Sequence, residues 1–336
     1  MYCRYCSIIP NDVLRKLEGD GSYTAAIDAE VRKVRNQAMQ LTRVSQSLAP
    51  QGFVADAIAA APKILVYDCK HTTNLPGTPV ANPGSSPDGS TKRCFVETTA
   101  VAEFYRKLFG RNSVDGAGMA LLSSVNYGTN YNNANWNGSQ MIYGDGDNQI
   151  FVDFTKSTDV IGHELTHGVT QYTLQLVYAN ESGGLNESMS DVFGSMFRQW
   201  RKNQTVTQAD WLIGHEIMGP KPKAQGITCL RDMANPGSNH CLAPQPFHFS
   251  NYTPGMDPHY SSGIPNYAFY KAAMAIGGKS WEKAGQIWYR AMTAGKSPNM
   301  KMSTFAKRTR DASKSLYPGN TKVINAVDAA WKQVGL

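Results

Sequence analysis

The stretch from Asp159 to Gly168, DVIGHELTHG, sets His163 and His167 four residues apart with Glu164 beside the first, in a run that otherwise reads as an apolar helix. On a helix, residues four apart project from one face with Cβ atoms about 5 to 6 Å apart, so the two imidazoles can hold one ion together. This is the HExxH arrangement, in which two histidines ligate zinc and the glutamate acts as general base. The motif is short, and a histidine pair also occurs as plain core or surface residues. Further ligands must come from elsewhere in the chain.

A second stretch, NESGGLNESMSD, places Glu187 twenty residues after His167, at the start of another helical pattern, with Asp191 one turn further on the same face. A catalytic zinc takes three protein ligands and keeps one position open, so a carboxylate from a second helix completes the set His163, His167 and Glu187. Asp191 is placed to accept the second ring N–H of His163, which fixes its tautomer and makes it a better ligand. Glu181 is a competing ligand candidate whose plainer role is a helix-capping or surface carboxylate.

These groups need rigid elements to carry them. Apolar residues at Ile27, Val31, Val34, Ala38, Leu41 and Leu48 follow the period of an amphipathic helix. The weakly structured LAPQGFVADAIAAAPK then precedes a strand at ILVYDC. Residues 1 to about 50 therefore read as a separate N-terminal segment with a linker. The Gly-, Pro- and Asn-rich stretch between Cys69 and Cys94 predicts an extended loop or hairpin, followed by a helix from about Thr98 to Phe109. Residues 119–153 read as antiparallel strands with long connections, and helices are expected at 158–174, 184–201, 264–276, 279–293, 302–315 and 320–334. An α+β half precedes a mostly α half, with HExxH at the junction.

The chain has 336 residues, 41% hydrophobic and 18% charged, as in a soluble globular protein able to bury a real core. Its formal net charge of +7 is spread along the sequence without a block of like charge, which reads as a solubilising surface and argues against a nucleic-acid or membrane partner. No apolar run approaches the roughly 18 residues of a membrane span, and the first 20 residues lack the apolar core of a Sec signal peptide. Export by a non-classical route or a cytoplasmic location follows, the former favoured. The six cysteines, Cys3, Cys6, Cys69, Cys94, Cys229 and Cys241, permit disulfides without requiring them.

The segments GHELTHGVTQYT, YANESGGLNESMSD and YNNANWNGSQMIYGDGD, in this chain from about Lys63 onward, resemble the thermolysin family of zinc metalloendopeptidases. The resemblance implies a two-lobed gluzincin fold of class α+β: a mixed β/α lobe at 51–178 carrying the HExxH helix, a helical lobe at 179–336, and the zinc cleft between them. It implies one catalytic zinc on His163, His167 and Glu187, and Glu164 moving a proton from the attacking water to the leaving amine. Tyr178 and His259 match the donors that stabilise the oxyanion, Asn133 with the backbone of Ala134 and Trp136 matches the substrate edge, and Arg231 matches the arginine that binds a substrate carbonyl beyond the cut. Phe151, Phe154, Val160, Ile213, Ile217 and Leu230 would line the pocket for the residue after the scissile bond. All six are apolar, so cleavage before bulky hydrophobic residues is expected. Tyr172 reads as a core aromatic.

The chain departs from the family pattern in three places. Of the positions matching a double calcium site, Asp159 and Asp210 are acidic but the others are Arg198, Leu212 and His215, so the double site is expected to be absent, with Arg198 paired to Asp159 or Asp210. Asp145 and Asp147 read as turn residues. The position five residues before His259, where the family has an aspartate, is Pro254, leaving Asp257 as the candidate partner. The N-terminal segment, with CSIIPNDVL, partly resembles the short propeptide of protealysin-like members. It implies a self-inhibited precursor with its own leader in the cleft, and Cys3 or Cys6 as a further zinc ligand, a spare thiol or a local disulfide. Cys229 with Cys241 and Cys69 with Cys94 are the other pairings to test. Peptide or protein substrates and a monomer complete the expectation; an inactive zincin serving as a protein-binding module is the alternative.

Overall fold

The computed structural model describes residues 7–19, 22, 24–28 and 60–336. Cys3, Cys6 and most of the amphipathic pattern from Val31 to Leu48 lie outside the described residues. Within the leader, Ser7 bridges to Asn135, the chain bends at Ile8 and Ile9, and Pro10, at φ −62°, leads into helix α1, Asn11–Glu18. Residues 24–28 are helical.

The first lobe is built on a five-stranded sheet of β1 (Ile64–Asp68), β2 (Thr78–Pro79), β3 (Leu121–Val125), β4 (Ala134–Trp136) and β5 (Met141–Tyr143). The spatial order is β2-β1-β3-β5-β4. It is mixed: β1 pairs parallel with β3 and β3 parallel with β5, while the outer pairs β1–β2 and β5–β4 are antiparallel. The antiparallel reading of 119–153 thus holds only for β4 and β5. The polar stretches between the strands act as crossover loops as well as hairpins, a distinction that alternation cannot reveal.

Helix α2 (Gly89–Phe109) starts nine residues before the expected Thr98, because the Asp88 carboxylate accepts the Thr91 N–H and caps a first turn whose Gly and Ser look like loop. The Cys69–Cys94 pairing is absent. Both are buried free thiols in different apolar clusters, Cys69 directed at the Asn74 and Pro76 carbonyls and Cys94 beside Thr98.

The HExxH helix, α3, spans Thr158–Tyr172, and α4 spans Asn180–Arg201, four residues longer at its start than the pattern suggests. The second lobe continues through a two-stranded ribbon, β6 (Leu212–Ile213) with β7 (Arg231–Asp232), preceding α6 (Pro258–Ser261), α7 (Gly263–Ile276), α8 (Ala284–Met292), α9 (Met302–Leu316) and α10 (Thr321–Gln333); a short α5 (Pro220–Ala224) lies between the ribbon strands. Glu181 caps α9 by accepting the Met302 N–H at 2.7 Å. No described helix is long and apolar enough to cross a membrane.

Candidate active site

Helices α3 and α4 cross closely because glycines meet at the contact. A Cβ on Gly194 would stand 2.6 Å from the Asp159 carbonyl oxygen, and one on Gly162 would stand 3.0 Å from Gly194 Cα. The crossing brings Glu187 to the two histidines. Their Nε2 atoms are 3.0 Å apart, Glu187 Oε2 is 3.4 Å from His163 Nε2, and Oε1 is 3.4 Å from His167 Nε2. All three side chains are fully buried, as is Glu164 on the same turn as His163.

The other ring nitrogens are held from behind. His163 Nδ1 lies 2.9 Å from Asp191 Oδ1 and His167 Nδ1 lies 2.9 Å from Asn186 Oδ1. These oxygens accept, so each Nδ1 carries a proton and each Nε2 faces the same point. Bonds of about 2.0 to 2.1 Å to a tetrahedral ion would separate nitrogen and oxygen ligands by a little over 3 Å, so the donor set fits zinc. Burial opposes a positive charge on His163, yet its hydrogen bonds to Asp191 and Glu187 outweigh it and raise the pKa to about 9. The pocket is therefore a carboxylate field that attracts a cation.

Two glycines at the start of α4 let His259 approach. A Cβ on Gly183 would meet Pro258 Cγ at 2.7 Å, and one on Gly184 would meet Ser261 Oγ at 2.5 Å, so α6 packs directly on this turn. His259 Nδ1 lies 2.8 Å from Asp257 Oδ1, which also accepts the His259 backbone N–H at 2.9 Å. Asp257 thus faces the imidazole in a loop where Pro254 cannot. Burial opposes charge on His259, but Glu187 and Asp257 raise its pKa to about 9. The Tyr178 hydroxyl donates a short hydrogen bond to Glu187 Oε1 and lies 3.4 Å from His259 Nε2.

Along the front of the site runs the outer edge of β4, occupied by the leader. The Ile8 N–H donates to the Ala134 carbonyl at 3.1 Å, the Ile9 N–H to Asn133 Oδ1 at 3.1 Å, and Asn133 Nδ2 donates to the Ile9 carbonyl at 3.3 Å. Arg231 Nη1 donates to the Ile8 carbonyl at 3.0 Å, and the Ser7 carbonyl lies 2.6 Å from His259 Nε2. The leader contacts extend to an antiparallel bridge between Ser7 and Asn135, whereas Trp136 pairs with Met141 of β5 and its indole donates to Gln171. Phe151, Phe154, Val160, Ile213, Ile217 and Leu230 are all buried in one apolar cluster that also contains Ile8 and Ile9.

Two residues behind the site escaped the reading of the sequence. Asn186 orients His167, and Asn266 donates to Asp191 Oδ2 at 2.9 Å. An asparagine beside a ligand carries no spacing signal of its own, and Asn266 reaches the site only through the packing of α7 on α4.

Two histidines one helical turn apart, a glutamate from a second helix and a sheet edge beside them that takes a backbone segment define a gluzincin, a zinc hydrolase with a groove for a peptide chain. The family model for the thermolysin metallopeptidase catalytic domain matches residues 51–171, and that for its alpha-helical domain matches residues 174–336. An extracellular metalloprotease of Pectobacterium carotovorum subsp. carotovorum is 37% identical, the alignment covering 98% of this chain and 96% of that protein. Protease PrtS of Photorhabdus sp. (strain Az29) is 39% identical over 81% of this chain and 76% of its own length. The solved precursor of protealysin, a metalloproteinase from Serratia proteamaculans, superposes with a TM-score of 0.81 at 36% identity, covering 98% of this chain and 99% of that one. The chain belongs to the thermolysin metallopeptidase family, as a protealysin-like zinc metalloendopeptidase.

Proposed function

We propose that this enzyme cuts proteins and peptides on the N-terminal side of bulky hydrophobic residues, and that it is made as a precursor held latent by its own leader. The observation that carries the reading is the leader's register. Ser7, Ile8 and Ile9 lie on the β4 edge, with the Ser7 carbonyl at His259, the Ile8 carbonyl on Arg231 and both polar backbone groups of Ile9 on Asn133. A substrate bound the same way would put its scissile carbonyl where that of Ser7 lies and its next side chain where that of Ile8 is buried.

Zinc held by His163, His167 and Glu187 would supply Lewis acidity toward the carbonyl oxygen and acidify water beside it. Glu164 takes the proton of the attacking water and delivers it to the leaving amine. His259 and Tyr178 donate to the oxygen as it gains charge, with Asp257 keeping the imidazole oriented. Asn133 and Ala134 hold the extended backbone, and Arg231 the carbonyl after the cut. Phe151, Phe154, Val160, Ile213, Ile217 and Leu230 would favour an apolar side chain there, whose burial contributes about 1.5 to 3 kcal/mol.

The leader is anchored beyond the cleft as well. The buried Asp28 carboxylate accepts from Asn133 Nδ2 and from the Tyr131 hydroxyl, Glu18 accepts from Asn132, and Asp12 accepts from Tyr260. Arg198, between Asp159 and Asp210, supplies the positive charge for that acidic pair and leaves the double calcium site without its full oxygen set. The extracellular relative supports a secreted protease.

Intact-mass spectrometry during incubation with zinc tests the reading. Wild type should lose about 50 N-terminal residues, the stretch before the catalytic-domain match, while Glu164→Gln should stay whole. If wild type stays whole on incubation, and is still inactive once trypsin nicks the linker, the proposal fails.

A further inference from the structure

Cys229, His240 and Cys241 lie together outside the active site, their donor atoms all within 4.8 Å of one another. The two segments are locked in register by the backbone: the Thr228 N–H donates to the His240 carbonyl at 2.9 Å, and the Leu242 N–H to the Cys229 carbonyl at 2.9 Å. Both thiols are buried, and their sulfurs are 3.8 Å apart. Two thiolates on a tetrahedral ion with bonds of about 2.3 Å are separated by about 3.8 Å. The His240 side chain is 36% exposed, so the third donor opens the cluster to solvent. Its Nε2 sits 3.0 Å from Asp232 Oδ2, which leaves Nδ1 as the ligand atom and reproduces the carboxylate–histidine arrangement found behind metal-bound imidazoles.

We propose that Cys229, Cys241 and His240 form a second zinc site, oriented by Asp232, with a fourth position open to water. Two thiolates and an imidazole are a soft donor set suited to zinc. Binding releases the two thiol protons to solvent. The ion would clasp the two ends of the loop formed by residues 230–240, whose first two residues are Leu230 and Arg231. The site would therefore act on the reaction by positioning, holding the arginine that grips the Ile8 carbonyl.

The test uses the full-length Glu164→Gln chain, purified without reductant, with metal content measured and the metal then exchanged for Co²⁺. The set His163, His167 and Glu187 contains no sulfur, and Cys3→Ser with Cys6→Ser in the same chain removes the leader's thiols, so a thiolate-to-cobalt charge-transfer band reports the second site alone. Two metal ions per chain and such a band are expected. Cys241→Ser should lose the band and one ion, and Asp232→Asn should keep the band with metal affinity about 10- to 100-fold weaker. A single ion per chain with no band overturns the proposal, as does an intact mass two hydrogens light that shows the thiols joined as a disulfide.

Discussion

Arg231 grips Asp191 through two hydrogen bonds, Nε to Oδ2 at 2.9 Å and Nη2 to Oδ1 at 2.7 Å, with both side chains buried. The same carboxylate takes His163 Nδ1 at 2.9 Å. One side chain therefore orients an imidazole at the zinc site and the guanidinium that meets the bound backbone. Asp191→Asn should weaken zinc binding about 10- to 100-fold and raise KM for peptides together with it. Chelator competition and steady-state kinetics on the leader-free enzyme check both; a change in zinc affinity with KM untouched would mean that Arg231 does not depend on Asp191.

The same pair shapes acid stability. Burial alone would raise the Asp191 pKa, but Arg231 and then His163 outweigh it and hold it at about 2, below its ordinary 3.8. A carboxyl depressed in the folded state stabilises the fold above its unfolded pKa, and that contribution is lost as pH falls from about 4 through about 2. Denaturant midpoints across that window should drop more steeply for Glu164→Gln than for Glu164→Gln with Asp191→Asn. Equal slopes would show that the carboxylate does not titrate with folding.

Latency should depend on Asp28. Its carboxylate is buried against Asn133 and Tyr131, so Asp28→Ala leaves those donors unmatched and should weaken leader binding by about 2 to 5 kcal/mol. The expected readout is earlier onset of peptide hydrolysis by the full-length chain, with the activity of the processed enzyme unchanged.

Pocket specificity is open to a peptide library. Cleavage should concentrate before Leu, Ile, Val and Phe, and Leu230→Ala should shift preference toward Phe by enlarging the cavity. Comparable cleavage before Asp or Lys would refute the apolar pocket.

Arg198 is nearly fully buried, with Nη1 3.2 Å from Asp159 Oδ2 and Nη2 on Asp210 Oδ1. Removing it leaves Asp159 buried without its counter-charge, so Arg198→Ala should cost about 3 to 5 kcal/mol. EGTA should leave the Tm of the unaltered chain where it was. A fall in Tm restored by Ca²⁺ would show that calcium contributes after all.

The local periodicities of the chain determined the helical second half, the α3 register that puts His163 and His167 on one face, and the carboxylate of Glu187 one helix away, because side chains four apart on a helix are neighbours whatever surrounds them. They also allowed Arg198 to be read as a partner for Asp159 or Asp210. Only the tertiary structure decided that Arg198 meets both and that two of the four ladders of the sheet, β1–β3 and β3–β5, are parallel. It alone brought Asn266 to Asp191, and Cys229 beside Cys241 while keeping Cys69 from Cys94, whereas Asp257, two residues from His259, was legible as its candidate partner. Such placements are set by how separate elements pack, as where Gly162 meets Gly194 and where Gly183 and Gly184 meet α6, and a close approach between distant segments leaves no period in the sequence to read.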